Sequence, residues 1–419
     1  MRSDVRSDVR SDVRSDVRYK GPVAARDVRL YLAGLAVSET GTTAMIVVSG
    51  VWVKSLTGSD RAAALTTVCL YLPSLLAPLA GLVADRTSRR RLLVAVNLVG
   101  AVWLLPLLLV GSPDRAWLVL AVMVGYGAVL ITIGPAETAL FTELLPADRR
   151  GGVNGLRMTI QEGAKLGAPL AGAGAFALVG GRGVVVADAV TFVVAALVVR
   201  AVRVPRAVRD PGLDGTRPGP GPFAELAAGW QHLWRTPALR RLASVGGAAL
   251  AVGAVPVSAQ YALVDALHRP PSFLGVLVSA LGAGSIVAGL ASGPVLRRTG
   301  ERTLTALALA AGCAGYLLLA TGWLPTVLAG RVVLGFAAPW VVVAVVTAGQ
   351  RLTPDALQGR VAAAITFALF APLPLAQAVC AALLGDAGFR LPYLLAAAGA
   401  ALLVPVAVRP LPPVSHAFS

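Results

Sequence analysis

Apolar residues fill this chain in long runs, and polar residues are confined to the short stretches between them. A bilayer core about 30 Å thick takes roughly 20 helical residues to cross. Twelve runs fit that requirement, at approximately residues 30–53, 62–84, 92–113, 116–142, 156–181, 183–199, 242–264, 270–296, 303–323, 325–350, 360–385 and 391–408. Several of them, 62–84 and 303–323 included, hold no charged residue. Backbone N–H and C=O groups inside lipid must pair within their own segment, which predicts helices. The runs are too long for barrel strands and lack a two-residue alternation. The pattern therefore predicts an all-α integral membrane protein with twelve transmembrane helices.

The polar stretches set the orientation. With the N-terminus in the cytoplasm, inside segments hold 29 of the 37 Lys and Arg. Outside lie only Lys54, Arg61, Arg115, Arg182, Arg269 and Arg390, while Lys165 and Arg331 fall within spans. That asymmetry follows the positive-inside rule and predicts a multi-pass plasma-membrane protein with both termini cytoplasmic. The net charge of +16 is then a topology signal whose partners are anionic headgroups of the inner leaflet, and nucleic acid is not expected. Composition agrees: 56% hydrophobic, 14% charged and a mean hydropathy of +0.75 exclude a soluble enzyme or a disulfide-stapled module. Cys69, Cys313 and Cys380 are isolated in apolar stretches, and His232, His268 and His416 sit in connecting segments or the tail. No metal, cofactor or catalytic cluster is predicted, and no enzyme activity.

The chain also repeats itself. Residues 1–25 form a predicted disordered tail that contains four copies of Arg-Ser-Asp-Val. A first six-helix unit is expected over 26–203 and a second over 238–409, with a short cytoplasmic tail at 410–419. Between the units, 204–237 is a Pro- and Gly-rich linker ending in an amphipathic helix at 223–235, placed on the inner leaflet. Gly81-Leu82-Val83-Ala84-Asp85-Arg86 follows span two, and Gly293-Pro294-Val295-Leu296-Arg297-Arg298 follows span eight. Leu145-Pro146-Ala147-Asp148 after span four matches Leu352-Thr353-Pro354-Asp355 after span ten. Ala168-Pro169-Leu170 in span five matches Ala371-Pro372-Leu373 in span eleven. Three landmarks in register predict duplicated halves, the organisation of many secondary transporters.

These residues resemble the major facilitator superfamily. Gly81-x-x-x-Asp85-Arg86-x-x-Arg89-Arg90 is similar to its signature loop between helices two and three. Gly134-Pro135-Ala136, the stretch from Glu225 to Arg240, and Leu352-Thr353-Pro354-Asp355 with Gly359-Arg360-Val361 resemble the drug-efflux and siderophore-export branch of actinobacteria. The resemblance implies two pseudo-symmetric six-helix bundles in the major facilitator fold. It also implies a cytoplasmic latch in which Asp85 faces the N-terminus of helix eleven near Gly359, while Arg89 pairs with Asp85 or Glu143.

Ions inside spans are costly and mark function. Counted from the inner ends, Glu39 and Glu137 lie ~12–14 Å deep, Glu162 lies at similar depth, Lys165 about one turn further, and Arg331 roughly 9 Å from the opposite face. These five are the candidates for proton coupling or the substrate cavity. Glu39, beside Ser38, Thr40, Thr42 and Thr43, leads as a proton carrier, since a buried carboxylate can trade protons near neutrality. Glu137 stands where members of the resembled branch often carry Arg. Arg331 is read as a site for an anionic cargo or a carboxylate, or as a side chain reaching the headgroups. Gly163, Gly167, Pro169 and Gly172 resemble the antiporter signature of helix five. The expectation is a monomeric secondary transporter that exports a small amphipathic organic molecule, such as a drug, antibiotic or siderophore, in exchange for protons. The rival readings are metabolite uptake by proton symport and a non-transporting receptor or scaffold.

Overall fold

A computed structural model describes residues 25–76, 87–144, 147–202, 222–354, 357–384 and 388–409. The helices are α1 (Ala25–Thr57), α2 (Asp60–Tyr71), α3 (Arg89–Leu104), α4 (Ala116–Leu144), α5 (Ala147–Ala201), α6 (Pro222–Arg235) and α7 (Pro237–Ala254). After them come α8 (Gln260–Ala266), α9 (Leu274–Ala320), α10 (Leu324–Leu352), α11 (Gln358–Phe370), α12 (Pro372–Leu384) and α13 (Arg390–Val408). The four-residue repeats and the Pro-rich part of the linker lie outside the described residues.

Among the described residues, nine helices are long and apolar enough to cross a membrane. Two of them hold two passes each. At 47 residues α9 would be ~70 Å long if straight, more than twice the hydrocarbon thickness. Its chain turns at Gly300, where φ is 77°, and α5 turns at Gly180, where φ is 68°. A side chain disfavours that left-handed backbone, so glycine is what lets one pass reverse into the next without a longer loop. The turns fall at the expected boundaries between spans five and six and between eight and nine. Span two begins as α2 and tightens into a 3-10 turn at Leu72–Leu76; spans three and seven tighten likewise at Leu105–Leu109 and Val255–Ala259. Each tight turn contains a proline, which removes a backbone donor and crowds the preceding turn.

The twelve passes make two bundles of six, the expected fold class. In the first, α1 runs along α5, and α3 packs on α4 and α5. In the second, α9 packs on α10 and α13. Contacts between the halves run from α5 to α9 and from α2 to α12 and the Val255–Ala259 turn. At the end that carries Lys54, one apolar core spans both bundles and joins Met45, Val51 and Trp52 to Leu263, Val264 and Leu277. Toward the opposite end the core divides. Tyr31, Leu35, Leu93 and Leu140 form one cluster in the first bundle, and Leu239, Val345, Val361 and Ile365 form another in the second. Among the described residues, the bundles therefore share one core near Lys54 and have separate cores near Arg89.

A helix covers Pro222–Arg235, where the amphipathic segment is expected, and it lies against the second bundle. Leu233 of α6 is buried in the second bundle's core, and Trp230 stacks edge-on against Phe367 of α11 at 6.1 Å. Trp234 remains exposed. Lipid-facing positions are apolar: Leu178 is 86% exposed and Leu290 78%. Glu137, Asp188 and Arg331, ionisable residues inside the spans, are buried instead.

Candidate functional site

A cavity of about 610 Å³ lies between the bundles. The first half contributes Ile46, Val47 and Ile131 together with the hydroxyl-bearing Thr67, Tyr71 and Ser74. Among the described lining residues the second half supplies the one charge, Arg331 from α10, and most of the other polar groups, including Gln260 from α8, Gln377 from α12, Tyr316 from α9 and Tyr393 from α13. An apolar pocket with a few convergent polar groups is the usual form of an organic-ligand site.

Arg331 is the centre of that polar group. Its side chain does not reach for the headgroups: the residue is 6% exposed and lines the cavity. One terminal nitrogen reaches Gln260 Oε1 at 3.4 Å, a long contact, and Nε has no hydrogen-bond partner. Gln377 Oε1 and the Tyr393 hydroxyl, both buried, are also without partners. Gly335, one turn beyond Arg331, allows α10 to press against the backbone of α9 near Leu281 and Ser285. Close packing of this kind is the work of small residues in membrane interfaces.

The first bundle holds the acids, and there they are partnered. Glu137 of α4 is buried, lies 3.3 Å from an Arg157 terminal nitrogen, and is hydrogen-bonded to Tyr31. Glu39 of α1 is half-buried and accepts a 3.1 Å hydrogen bond from Gln161 Nε2 of α5. The two acids are close enough to feel each other's charge. Two of the sequence candidates thus meet in one cluster, completed by Tyr31, Arg157 and Gln161. Of the other candidates in this bundle, Lys165 is exposed on α5, and the Glu162 side chain lies outside the described residues.

A further acid, Asp188 of α5, was not among the candidates. It is 1% exposed and lies about 12 Å along its pass from the Gly180 turn. Tyr126 Oη donates to one carboxylate oxygen at 2.8 Å, and the Thr191 hydroxyl shares its one proton between the Asp188 backbone carbonyl at 2.8 Å and the other carboxylate oxygen at 3.1 Å. Gly41 of α1 makes room for it, since a Cβ there would stand 2.5 Å from Asp188 Oδ1. The signal was present in the sequence: an acid inside a span, with a hydroxyl residue three positions on.

The helix-five motif divides. Gly172 packs on α1, where a Cβ would come within 2.7 Å of the Ala44 Cβ, whereas Gly163 and Gly167 face open space. The Pro169 carbonyl approaches Gly275 of α9, with 2.6 Å to a Cβ built there, so this segment forms part of the contact between bundles. Of the latch motif, Gly81, Asp85 and Arg86 lie outside the described residues, as does the side chain of Glu143. Arg89 opens α3, and the Arg90 guanidinium donates to the Arg200 carbonyl within its own bundle.

A second ionic group ties the halves together at the closed end. Lys54 Nζ lies 2.6 Å from Asp60 and 2.7 Å from Asp265, and it also donates to the Gly58 carbonyl at 3.1 Å. Asp265 belongs to α8, so this lysine bridges the two bundles. Read along the sequence it is an ordinary charge at a span end, because its partner stands 211 residues away.

Duplicated six-pass bundles, a cavity on their shared axis and ions withdrawn from lipid are the organisation of a secondary transporter. The sequence matches the Major Facilitator Superfamily profile over residues 31–260 and again over 242–419. The chain belongs to the major facilitator superfamily. It is thus a multi-pass membrane transporter of small molecules. No curated protein matches its sequence significantly. Among solved structures it is similar to a bacterial homologue of the human lysosomal transporter Spinster, in an inward-facing, unoccupied conformation (TM-score 0.69, 15% identity, covering 92% of this chain and 96% of that one). It is also similar to a D-xylose–proton symporter (0.69, 12%, 92% and 98%) and to a bacterial homologue of the iron transporter ferroportin in an inward-facing state (0.64, 17%, 91% and 98%). At these identities the likeness concerns the fold.

Proposed function

We propose that this major facilitator protein is a proton-coupled exporter of small amphipathic organic molecules, akin to the drug-efflux and siderophore-export branch. It acts as a monomer in the plasma membrane with both termini in the cytoplasm. In that orientation the Lys54 end, where the bundles share one core, is outside and shut, and cargo enters from the cytoplasm at the opposite end, where their cores are separate. Export then requires Lys54 to leave Asp265 as the outer end opens, while the inner ends close through the signature loop and Glu143.

The observation that carries the coupling is Asp188. It is a carboxylate at the depth of the membrane core whose hydrogen-bond donors, among the described residues, are two hydroxyls rather than a cation. A charge held that way is costly in lipid, and binding a proton removes the cost. Glu39 and Glu137 form the second carboxylate group on the same route. A proton on Glu137 would weaken its hold on Arg157 at the inner ends of α4 and α5, which links protonation to bundle movement.

The test is proton flux in vesicles reconstituted with the purified full chain and loaded with a panel of amphipathic dyes, antibiotics and siderophores. Wild type is expected to couple movement of at least one compound to protons. Asp188→Asn is expected to lose that coupling while still exchanging labelled for unlabelled compound. Coupling that survives unchanged in Asp188→Asn, Glu137→Gln and Glu39→Gln alike would refute the proton reading.

A further inference from the structure

The cavity's electrostatics narrow the cargo. Among the described residues that line it, Arg331 is the one formal charge, and no Asp or Glu stands on the wall. Guanidinium stays protonated in proteins, so this cavity is permanently cationic. Among the other described residues, the partly buried Arg157 faces Glu137, and the buried Lys54 faces Asp60 and Asp265. Arg331 has a single long contact to an uncharged amide, and its Nε has none. The Tyr393 hydroxyl, 1% exposed, is likewise an unused donor, and Gln377 Oε1 an unused acceptor. Two phenol rings on this wall, Tyr316 and Tyr393, lie within electrostatic reach of the guanidinium.

We propose that Arg331, Tyr393 and Gln377 form the anion-binding end of the cavity, and that the cargo is an organic carboxylate with an apolar body. The inference rests on the exporter reading given above. Guanidinium presents parallel N–H donors that match the two oxygens of a carboxylate, and the Tyr393 hydroxyl supplies a further donor. Gln377 Oε1 accepts from a hydroxyl or N–H elsewhere on the same molecule. The apolar body lies against Ile46, Val47 and Ile131 of the opposite bundle. One molecule therefore bridges the charged wall and the aliphatic patch facing it, and it binds best when the two stand at one spacing. A cationic amphiphile would put its charge beside Arg331 with no acid to offset the repulsion.

The test is equilibrium binding to the purified full chain in neutral detergent, with three matched probes: 1-naphthoate, uncharged 1-naphthamide and cationic 1-naphthylmethylamine. Decanoate serves as an alkyl competitor. The carboxylate should bind saturably and at least about 10-fold more tightly than either analogue, the range of a lost hydrogen bond to a charged group. Arg331→Gln should cost about 10- to 100-fold in naphthoate affinity, with less lost in Arg331→Lys. Tyr393→Phe removes a single oxygen and should cost several-fold, which keeps the test usable should the Arg331 variants fail to fold. Equal binding of all three probes by wild type, or naphthoate affinity unchanged in both Arg331→Gln and Tyr393→Phe, overturns the proposal. The two readings fail separately. Naphthoate binding without flux in any vesicle experiment sinks the exporter and leaves the anion site standing. Proton-coupled flux of neutral or cationic compounds, with no carboxylate binding, does the opposite.

Discussion

The two halves of this transporter share an architecture and differ in what they bury. The first half buries acids and satisfies them from within: Glu137 with Arg157 and Tyr31, Asp188 with Tyr126 and Thr191, Glu39 with Gln161. The second half buries a guanidinium that makes one long contact to an amide and whose Nε has no partner. Even a shared landmark has diverged. Pro169 lies inside a continuous pass of α5, whereas Pro372 marks the junction where α11 gives way to α12. Groups that already have protein partners suit proton traffic, because their charge changes without any ligand. A group left without partners suits cargo, because the ligand completes it. Duplication supplied one scaffold twice, and on the proposed reading the division of labour lies in a few side chains.

The largest expected effect breaks the first half's self-sufficiency. Arg157→Ala leaves Glu137 buried beside no cation, and removing one partner of a buried pair costs about 3–5 kcal/mol. Thermal unfolding in detergent should shift down accordingly, and adding Glu137→Gln should recover most of the loss. A double variant no more stable than the single one would mean that the pair is not a unit. In the second half the sign should reverse. Arg331→Leu removes a buried charge that no acid matches among the described lining residues, so stability should hold or rise, by up to about 1–4 kcal/mol, while carboxylate binding is lost. A clear loss of stability there would erase the contrast between the halves.

What the halves kept in common gives a smaller effect. Gly180 and Gly300 turn their passes at φ of 68° and 77°, and a Cβ on either would meet nothing within 4 Å. Replacing each with Ala should therefore cost only the backbone term, about 1–2 kcal/mol, and equally in both halves. Unequal shifts in unfolding temperature would show that one turn is held by contacts the other lacks.

Much of this architecture is legible in the amino-acid sequence. Long apolar runs have few alternatives in lipid, so the passes and both reversals lie where hydropathy puts them. The cost of burying an ion singles out Glu137 and Arg331, and both prove to be withdrawn from lipid. The partners are harder to read. Arg157 and Gln161 lie near a polar stretch and count there as surface residues, although α5 carries them inward to meet α4 and α1. Tyr31 and Tyr126 look like ordinary apolar packing until a carboxylate is seen against the hydroxyl. Lys54 is the extreme case, because local spacing carries no information about a partner in the other half. Asp188 is different, since the rule that flags Glu39 applies to it equally.

The smallest effect concerns the two ends of the cavity rather than its two walls. At the closed end the shared core of Met45, Val51, Leu263 and Leu277 does most of the sealing, and Lys54–Asp265 adds a link that breaks in one step. Asp265 is about half exposed, so water screens this link, and it is expected to contribute no more than about 1 kcal/mol. Asp265→Asn should then shift the balance toward an open outer end by about fivefold at most. Spin labels on the outer ends of α1 and α8 would report this as a larger fraction of long distances, and high salt should produce part of the same change in wild type. Asp60→Asn is the control, because Asp60 holds the same lysine from within the first half and bridges nothing. A shift as large in Asp60→Asn as in Asp265→Asn would mean that the lysine's charge matters at this end but the link across the bundles does not.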